Sequence, residues 1–148
     1  MDDLERLLRA HPFLAELEPE HVRFLVGCAR NVRFRAGEYL VREGDQLEAL
    51  YLIRQGTVII EMRRPGDPVG LETVGAGDVL GGSALLAAAE HLDCHARDTV
   101  LALALDRACL QRKMNEDPRL GYAIAMRLFE RTHDRLARAR LQQLDIYR

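Results

Sequence analysis

Four groups of residues in this chain have the types and spacing to do chemistry. Gly81-Gly82-Ser83 sets a hydroxyl behind two glycines. It is a weak nucleophile signal, because nothing in the sequence marks a base or an orienting carboxylate for Ser83. His91 and His95 stand four apart, with Asp93 and Cys94 between them. On a helix they could share a metal ion; on a strand the same spacing separates them by about 13 Å, too far for one ion. Cys28, Cys94 and Cys109 are odd in number and form no C-x-x-C pair, so neither a disulfide framework nor a standard zinc site reads out. Cys28 and Cys109 lie in apolar helical contexts and read as packing residues. Finally, Arg119, Arg127, Arg131, Arg135, Arg138, Arg140 and Arg148 face only Glu130, Asp134 and Asp145 over the same stretch, a local balance of +4. This cluster reads either as an anion contact or, more simply, as the solvated flank of a helix with Glu130 and Asp134 as i,i+4 partners. A Walker loop, a dinucleotide fingerprint and a G-x-S-x-G elbow are all missing, so no enzyme class is indicated.

The elements that must position these groups fall into three regions of one domain, expected at residues 1–31 (helices), 32–106 (β) and 107–148 (helices). The chain has 148 residues, of which 48% are hydrophobic and 30% charged, a globular composition. A net charge of −2 argues against a dedicated nucleic-acid binder, and no apolar run is long enough to cross a bilayer. The N-terminus lacks the basic start and apolar run of a signal peptide, which sets the cytoplasm as the expected location. Asp2-Asp3 gives a helix start, with Leu4, Leu7 and Leu8 on one face, and Pro19 suits the first turn of a second helix. Nine of the 11 glycines fall in the middle region: Gly37, Gly44, Gly56, Gly66, Gly70, Gly75, Gly77, Gly81 and Gly82. They punctuate β-rich runs at Tyr39–Val41, Leu50–Ile53, Thr57–Ile60, Leu71–Val74 and Thr99–Leu105. In the last run Leu101, Leu103 and Leu105 alternate with small residues, which predicts a strand with one buried face.

Asp106 can cap a short helix to Met114, and Asp117-Pro118 opens a long one that nothing stops before Tyr147. About 29 residues at 1.5 Å each span about 43 Å, beyond the width of a small domain. One face carries Tyr122, Met126, Phe129, His133, Leu136, Arg140, Gln143 and Tyr147 at alternating spacings of four and three, a heptad seam that turns polar in its second half. Leu120, Ile124 and Leu128 form a second stripe. Two apolar faces imply two partners, the helix's own β region and a second copy of the chain. Tyr122, Met126, Phe129, His133 and Leu136 are therefore the candidate homodimer contacts.

Four ordered motifs resemble the cyclic-nucleotide-binding domain, specifically the N-terminal sensor domain of the CRP/FNR regulators. Phe34 to Asp45 (FRAGEYLVREGD) resembles F-x-x-G-E-x-L-F-x-E-G-D. Leu50 to Val58 (LYLIRQGTV) resembles L-Y-x-I-x-x-G-x-V. Gly75 to Gly81 (GAGDVLG) resembles G-x-G-D-x-F-G, and Asn115-Glu116-Asp117-Pro118 resembles the lead into a long dimer helix. The resemblance implies a mainly β fold with flanking helices, a β-roll or jelly-roll barrel followed by a long C-terminal dimerisation helix. It implies a ligand-binding cassette at Leu80, Gly81, Gly82, Ser83, Ala84 and Leu85, continuing through Glu90, His91 and Leu92. In the family a glutamate of this cassette binds the ribose hydroxyl and an arginine pairs with the cyclic phosphate, while backbone N–H groups of a short helix complete the cradle.

This chain has Gly82 where the glutamate belongs, and the arginine position falls on or near Glu90. A carboxylate facing a phosphodiester repels it, so the cassette is degenerate; the candidate replacements are His91, His95, or Arg135 and Arg138 of the long helix if it passes over the pocket. The ligand class implied is a cyclic nucleotide or another small anion, with no metal and no other cofactor. The expected function is a regulatory sensing module, not an enzyme, that signals through its C-terminal helix to an unknown protein effector. No direct DNA binding and no membrane contact are expected, because no winged-helix segment follows the long helix. The alternatives are a constitutive dimeric scaffold that binds no nucleotide and a cAMP-binding fragment of a transcription regulator.

Overall fold

The computed structural model describes residues 3–63, 68–86 and 88–146; Asp2, Gly66, Tyr147 and Arg148, used above, lie outside the described residues. The elements run α1 (Asp3–Ala10), α2 (Pro19–Leu25), β1 (Ala29–Phe34), β2 (Tyr39–Val41), β3 (Ala49–Gln55), β4 (Val58–Arg63), β5 (Pro68–Val74), β6 (Val79–Leu80), β7 (Asp93–Ala96), β8 (Val100–Asp106), α3 (Arg107–Glu116) and α4 (Pro118–Ile146). Short 3-10 turns cover Pro12–Leu14, Val26–Cys28 and Gly82–Leu85. Two four-stranded antiparallel sheets form the roll, with strand orders β1-β8-β3-β6 and β2-β7-β4-β5. The fold class implied by the motifs is the one observed.

The strand periodicity places two cores on the two sides of the first sheet. Leu50 and Leu52 of β3 and Leu103 and Leu105 of β8 turn outward, under Leu8, Phe13, Leu25, Leu110, Leu120 and Ile124 of the helices. Ile53, Val100 and Ala102 turn inward, against Val58, Ile60, Val74, Leu80, Ala84, Cys94 and Ala96. The expectation of one buried face for β8 is corrected here: Ala102 and Ala104 are as buried as Leu103 and Leu105. In β8 the inward position is the small Ala102, packed against Ile53, Val58 and Ile60, while Leu103 and Leu105 fill the gap beneath the helices.

Sequence signals for the helix ends are realised. Pro19 occupies the first turn of α2. Asp106 caps α3 by accepting from the Cys109 N–H at 2.9 Å. Asp117 Oδ1 accepts from the N–H groups of Arg119 and Leu120 at the start of α4, which runs 29 residues. His11 ties the helices to the roll. Its Nδ1 accepts from Phe13 N at 3.1 Å, so Nε2 carries the proton that reaches the Ile53 carbonyl at 2.8 Å.

The reading of Cys28 and Cys109 as separate packing residues is corrected. They form a disulfide across 81 residues of sequence, with Cα atoms 5.5 Å apart, joining the Val26–Cys28 turn to the first turn of α3. Cys94 is free and buried in β7. β1 begins at Ala29, ahead of the boundary expected at residue 32, and takes its register from β8, with Ala29 opposite Leu105 and Phe34 opposite Val100.

Candidate functional site

The cradle begins where β6 ends. Gly81 has φ +89°, a left-handed conformation that side chains rarely adopt, and a Cβ there would stand 3.0 Å from the Ala49 carbonyl. This glycine turns the chain sharply into the Gly82–Leu85 turn, where Ala84 N donates to Gly81 O at 2.9 Å and Leu86 N to Ser83 O at 3.0 Å. Leu80 and Ala84 anchor the turn in the inner core, and Leu85 packs toward the helical core.

Glu90 returns to this turn. Ser83 Oγ donates to Glu90 Oε2 at 2.7 Å, and His91 N donates to Glu90 Oε1 at 3.1 Å. The Glu90 backbone is fixed by the Gly44–Asp45 turn, which accepts from Glu90 N at 2.9 Å and donates to Glu90 O at 2.7 Å. Next along, Asp93 Oδ1 accepts from Glu43 N at 2.8 Å. The E-G-D motif thus holds the far end of the cassette in place. Ser83 and Glu90 are brought together; Leu92 is half-buried against the inner core, whereas His91 is exposed. His95 is directed to Glu61, with Nδ1 and Oε1 2.6 Å apart. Among the described residues no His, Cys, Asp and Glu group of three or more is arranged to hold a metal.

Helix α4 crosses the cradle. A Cβ on Gly82 would meet Leu128 Cδ2 at 3.8 Å, so the helix lies directly over Gly82. Leu120, Ile124 and Leu128 pack on the roll side, and the same face continues as arginines. Arg127 donates to the Phe13 and Pro12 carbonyls, at 3.0 and 2.8 Å. Arg131 donates to Gly77 O at 2.9 Å and stands 3.6 Å from Asp78. Arg135 donates through Nε to Glu72 Oε1 at 3.2 Å and through Nη2 to Val79 O at 3.3 Å. Arg138 completes the set with two bonds to the same Glu72 carboxylate, at 3.3 and 3.4 Å. That carboxylate is only 15% exposed and holds the Arg138 guanidinium above its ordinary value, chiefly by hydrogen bonding.

The reading of these arginines as a solvated flank is therefore corrected for Arg131, Arg135 and Arg138, which clasp the chain's own roll, and for Arg127, which holds the Pro12–Leu14 turn while also pairing with Glu130 at 3.2 Å. Their spacings of 4, 4 and 3 keep them on one helix face. Nothing in the sequence marks backbone carbonyls or Glu72 as their acceptors. Where the helix and β6 meet, a cleft of about 160 Å³ remains, lined by Asp78, Val79, Arg131, Asp134, Arg135 and Arg138. A more open groove of about 420 Å³ lies elsewhere, between the α2 entry and the start of α4 with Tyr122 at its edge, and has no part of the cradle in its wall.

Inside the roll, burial pushes the Cys94 thiol up to about 12, with Glu90 pushing the same way and Arg135 opposing. Cys94 therefore stays a neutral thiol.

On the opposite side of α4, Tyr122, Met126, Phe129 and Leu136 are exposed, Tyr122 by 70% and Phe129 by 66%. Phe129 stacks on His133 with centroids 6.4 Å apart. Leu144, also exposed, falls within about 40° of Tyr122 around a straight helix, so the apolar face extends past the polar Arg140 and Gln143 of the expected seam.

The cyclic nucleotide-binding domain model matches residues 31–117. A cAMP-dependent protein kinase regulatory subunit from Emericella nidulans is 33% identical over 82 residues, 55% of this chain and 19% of its own length, so the chain spans only a minor part of that relative. A cyclic nucleotide-binding domain from Methylobacillus flagellatus superimposes with a TM-score of 0.84 at 23% identity, over 96% of this chain and 83% of its own. The N-terminal domain of a transcriptional regulator from Streptomyces coelicolor superimposes with a TM-score of 0.71 at 27% identity, over 90% and 94% of the two chains.

Proposed function

The chain belongs to the cyclic nucleotide-binding domain family, and from that premise we propose that it is a ligand-gated regulatory module whose output element is α4. The observation that carries this reading is the placement of Arg135 and Arg138. They lie beside β6, where Arg135 donates to the Val79 carbonyl two residues ahead of Gly81, and are held there by Glu72, a carboxylate supplied by the protein itself. The cassette has lost its own cationic side chain, and Arg135 is the cation best placed to replace it.

The mechanism is a competition. The cleft between α4 and β6, about 160 Å³, is smaller than the roughly 300 Å³ at which small-molecule pockets begin and has no cassette residue in its wall, so in this mechanism α4 rises from Arg131 onward to open the way to the cradle. An anionic group that takes Arg135 away from Glu72 favours the raised state, and the shift is set by its differential affinity for the two states. Gly82 leaves no carboxylate for a ribose hydroxyl, and Ser83 and Glu90 are the polar groups that remain for the sugar edge.

The raised or lowered helix is read by partners. The face of Tyr122, Met126, Phe129, His133 and Leu136 packs against the same face of a second copy, and a protein effector reads the pair. The similarity to a cAMP-dependent regulatory subunit makes cAMP the first ligand to test. Calorimetric titration with cAMP and cGMP is the experiment. Saturable binding that is lost in Arg135→Gln supports the proposal.

A second reading, a constitutive dimeric scaffold, is favoured by the Ser83–Glu90 hydrogen bond, which sets a carboxylate in the cassette itself. Absence of heat from either nucleotide, in the parent chain and in Glu72→Gln alike, selects that reading.

A further inference from the structure

Away from the cradle, the Cys28–Cys109 pair has the surroundings of a reactive thiol site. Cys109 is the third residue of α3, a ten-residue helix whose N-terminal dipole end stabilises a thiolate. Arg112, one turn on, places Nη2 3.7 Å from Cys109 Sγ. Lys113 donates from Nζ to the Phe24 carbonyl, and a Cβ on Gly27 would stand 3.0 Å from that ammonium, so a second cation lies beside the turn that carries Cys28. The opposing charges are Asp106, whose carboxylate is engaged by the Cys109 N–H, and Glu116, 3.9 Å from Arg112 Nε. Cys109 is half-buried and Cys28 is buried. A thiol at a helix N-terminus with cations beside it and a resolving cysteine within bonding distance is the arrangement that senses oxidants.

We propose that Cys109 and Cys28 form a reversible redox site, with Cys109 the thiolate that reacts first and a hydroperoxide as its oxidant. The Cys109 thiolate attacks one peroxide oxygen, the O–O bond breaks, and the other oxygen leaves as water or alcohol after taking a proton. Cys109 becomes a sulfenic acid. The Cys28 thiol then attacks that sulfur, the S–S bond forms, the S–O bond breaks and water leaves. Return to the dithiol consumes an external dithiol, which is itself oxidised to a disulfide.

The bond joins the N-terminal helices to the first turn of α3, about 12 Å of helix ahead of the α3–α4 corner, where His21 Nε2 meets Asp117 Oδ2 at 3.1 Å. Oxidation therefore fastens α3, the helix that precedes α4, to the N-terminal helices. The Cys94 thiol, buried in β7, serves as the internal control.

The test uses the full chain, reduced and freed of reductant, then treated with hydrogen peroxide and mapped by mass spectrometry. The expected result is loss of the Cys28 and Cys109 thiols with Cys94 unchanged, and a dimedone adduct on Cys109 in Cys28→Ser. Arg112→Gln, a change at an exposed side chain, is expected to slow alkylation of Cys109 in the reduced protein about threefold at neutral pH. That factor follows from losing a neighbouring positive charge that favours the thiolate, partly offset by the higher intrinsic nucleophilicity of a less acidic thiol. The proposal is overturned if Cys28 and Cys109 stay reduced in excess peroxide, if the adduct forms on Cys94 instead, or if Arg112→Gln alkylates at the parent rate.

Discussion

Replacing Glu72 by glutamine removes the charge that holds α4 down while keeping the side chain's shape. The carboxylate accepts three hydrogen bonds from two guanidiniums. Charge-assisted bonds contribute about 1.5–3 kcal/mol when buried, and exposed pairs about 0–1 kcal/mol. Glu72 is 15% exposed, but Arg135 is 31% and Arg138 52% exposed, so the whole latch is worth about 1–2 kcal/mol after solvent screening. For a chain of this size that lowers Tm by roughly 3–8 °C, measured by calorimetry or circular dichroism. The difference from the parent narrows as salt is raised, since the Debye length falls from about 10 Å at 0.1 M to about 3 Å at 1 M. In a double-mutant cycle with Arg135→Gln the two changes couple by about 1 kcal/mol. Because the same substitution frees Arg135, it also tightens binding of an anionic nucleotide by roughly 5–30-fold, the factor equivalent to the lost latch energy. An unchanged melting temperature, or strict additivity with Arg135→Gln, refutes the latch.

Two further outcomes are expected. Phe129→Asp puts a charge in the middle of the exposed α4 face, and sedimentation should find the parent at twice the chain mass and the variant at the monomer mass; a monomeric parent at high concentration removes the dimer. Stability should also fall on acidification. Burial holds the His11 imidazole below its ordinary value of about 6.5, outweighing the upward pull of the Ile53 carbonyl, with Arg131 and Arg54 pushing down and Asp78 up. The unfolded chain then binds the extra proton first, so the His11 contribution is complete above about pH 6.5 and is lost as pH falls from there through the folded value. His11→Gln should flatten that part of the stability–pH curve, and an unaltered slope contradicts the assignment.

The framework of the roll was legible where sequence and physics agree. Glycine-punctuated apolar runs gave β2, β3, β4, β5 and β8, Asp106 gave the start of α3, and Asp117-Pro118 gave that of α4. β1 was not legible, because Arg30, Asn31 and Arg33 belong to an edge strand with an exposed face and carry no apolar alternation. β7 was obscured by Asp93 and His95, polar residues whose partners, Glu43 N and Glu61, come from elsewhere in the chain. The motifs singled out Leu80 to Leu85 and Glu90 as a candidate cassette, and the fold brings Ser83 and Glu90 within hydrogen-bond distance. The arginine face of α4 looked like a solvated flank because its acceptors at Gly77, Val79, Phe13 and Pro12 are backbone carbonyls, which no residue type announces. Glu72 sat unremarked in a strand run for the same reason. The Cys28–Cys109 bond spans too much sequence for spacing to reveal it.

Amide hydrogen exchange along α4, in the presence and absence of saturating cAMP, tests the sensing role most directly. The expected result is a change in protection confined to the stretch from Arg131 to Ile146, with the Leu120–Leu128 portion unaltered, and a similar loosening in ligand-free Glu72→Gln. Bound nucleotide with no alteration in that stretch would contradict the assignment of α4 as the moving element.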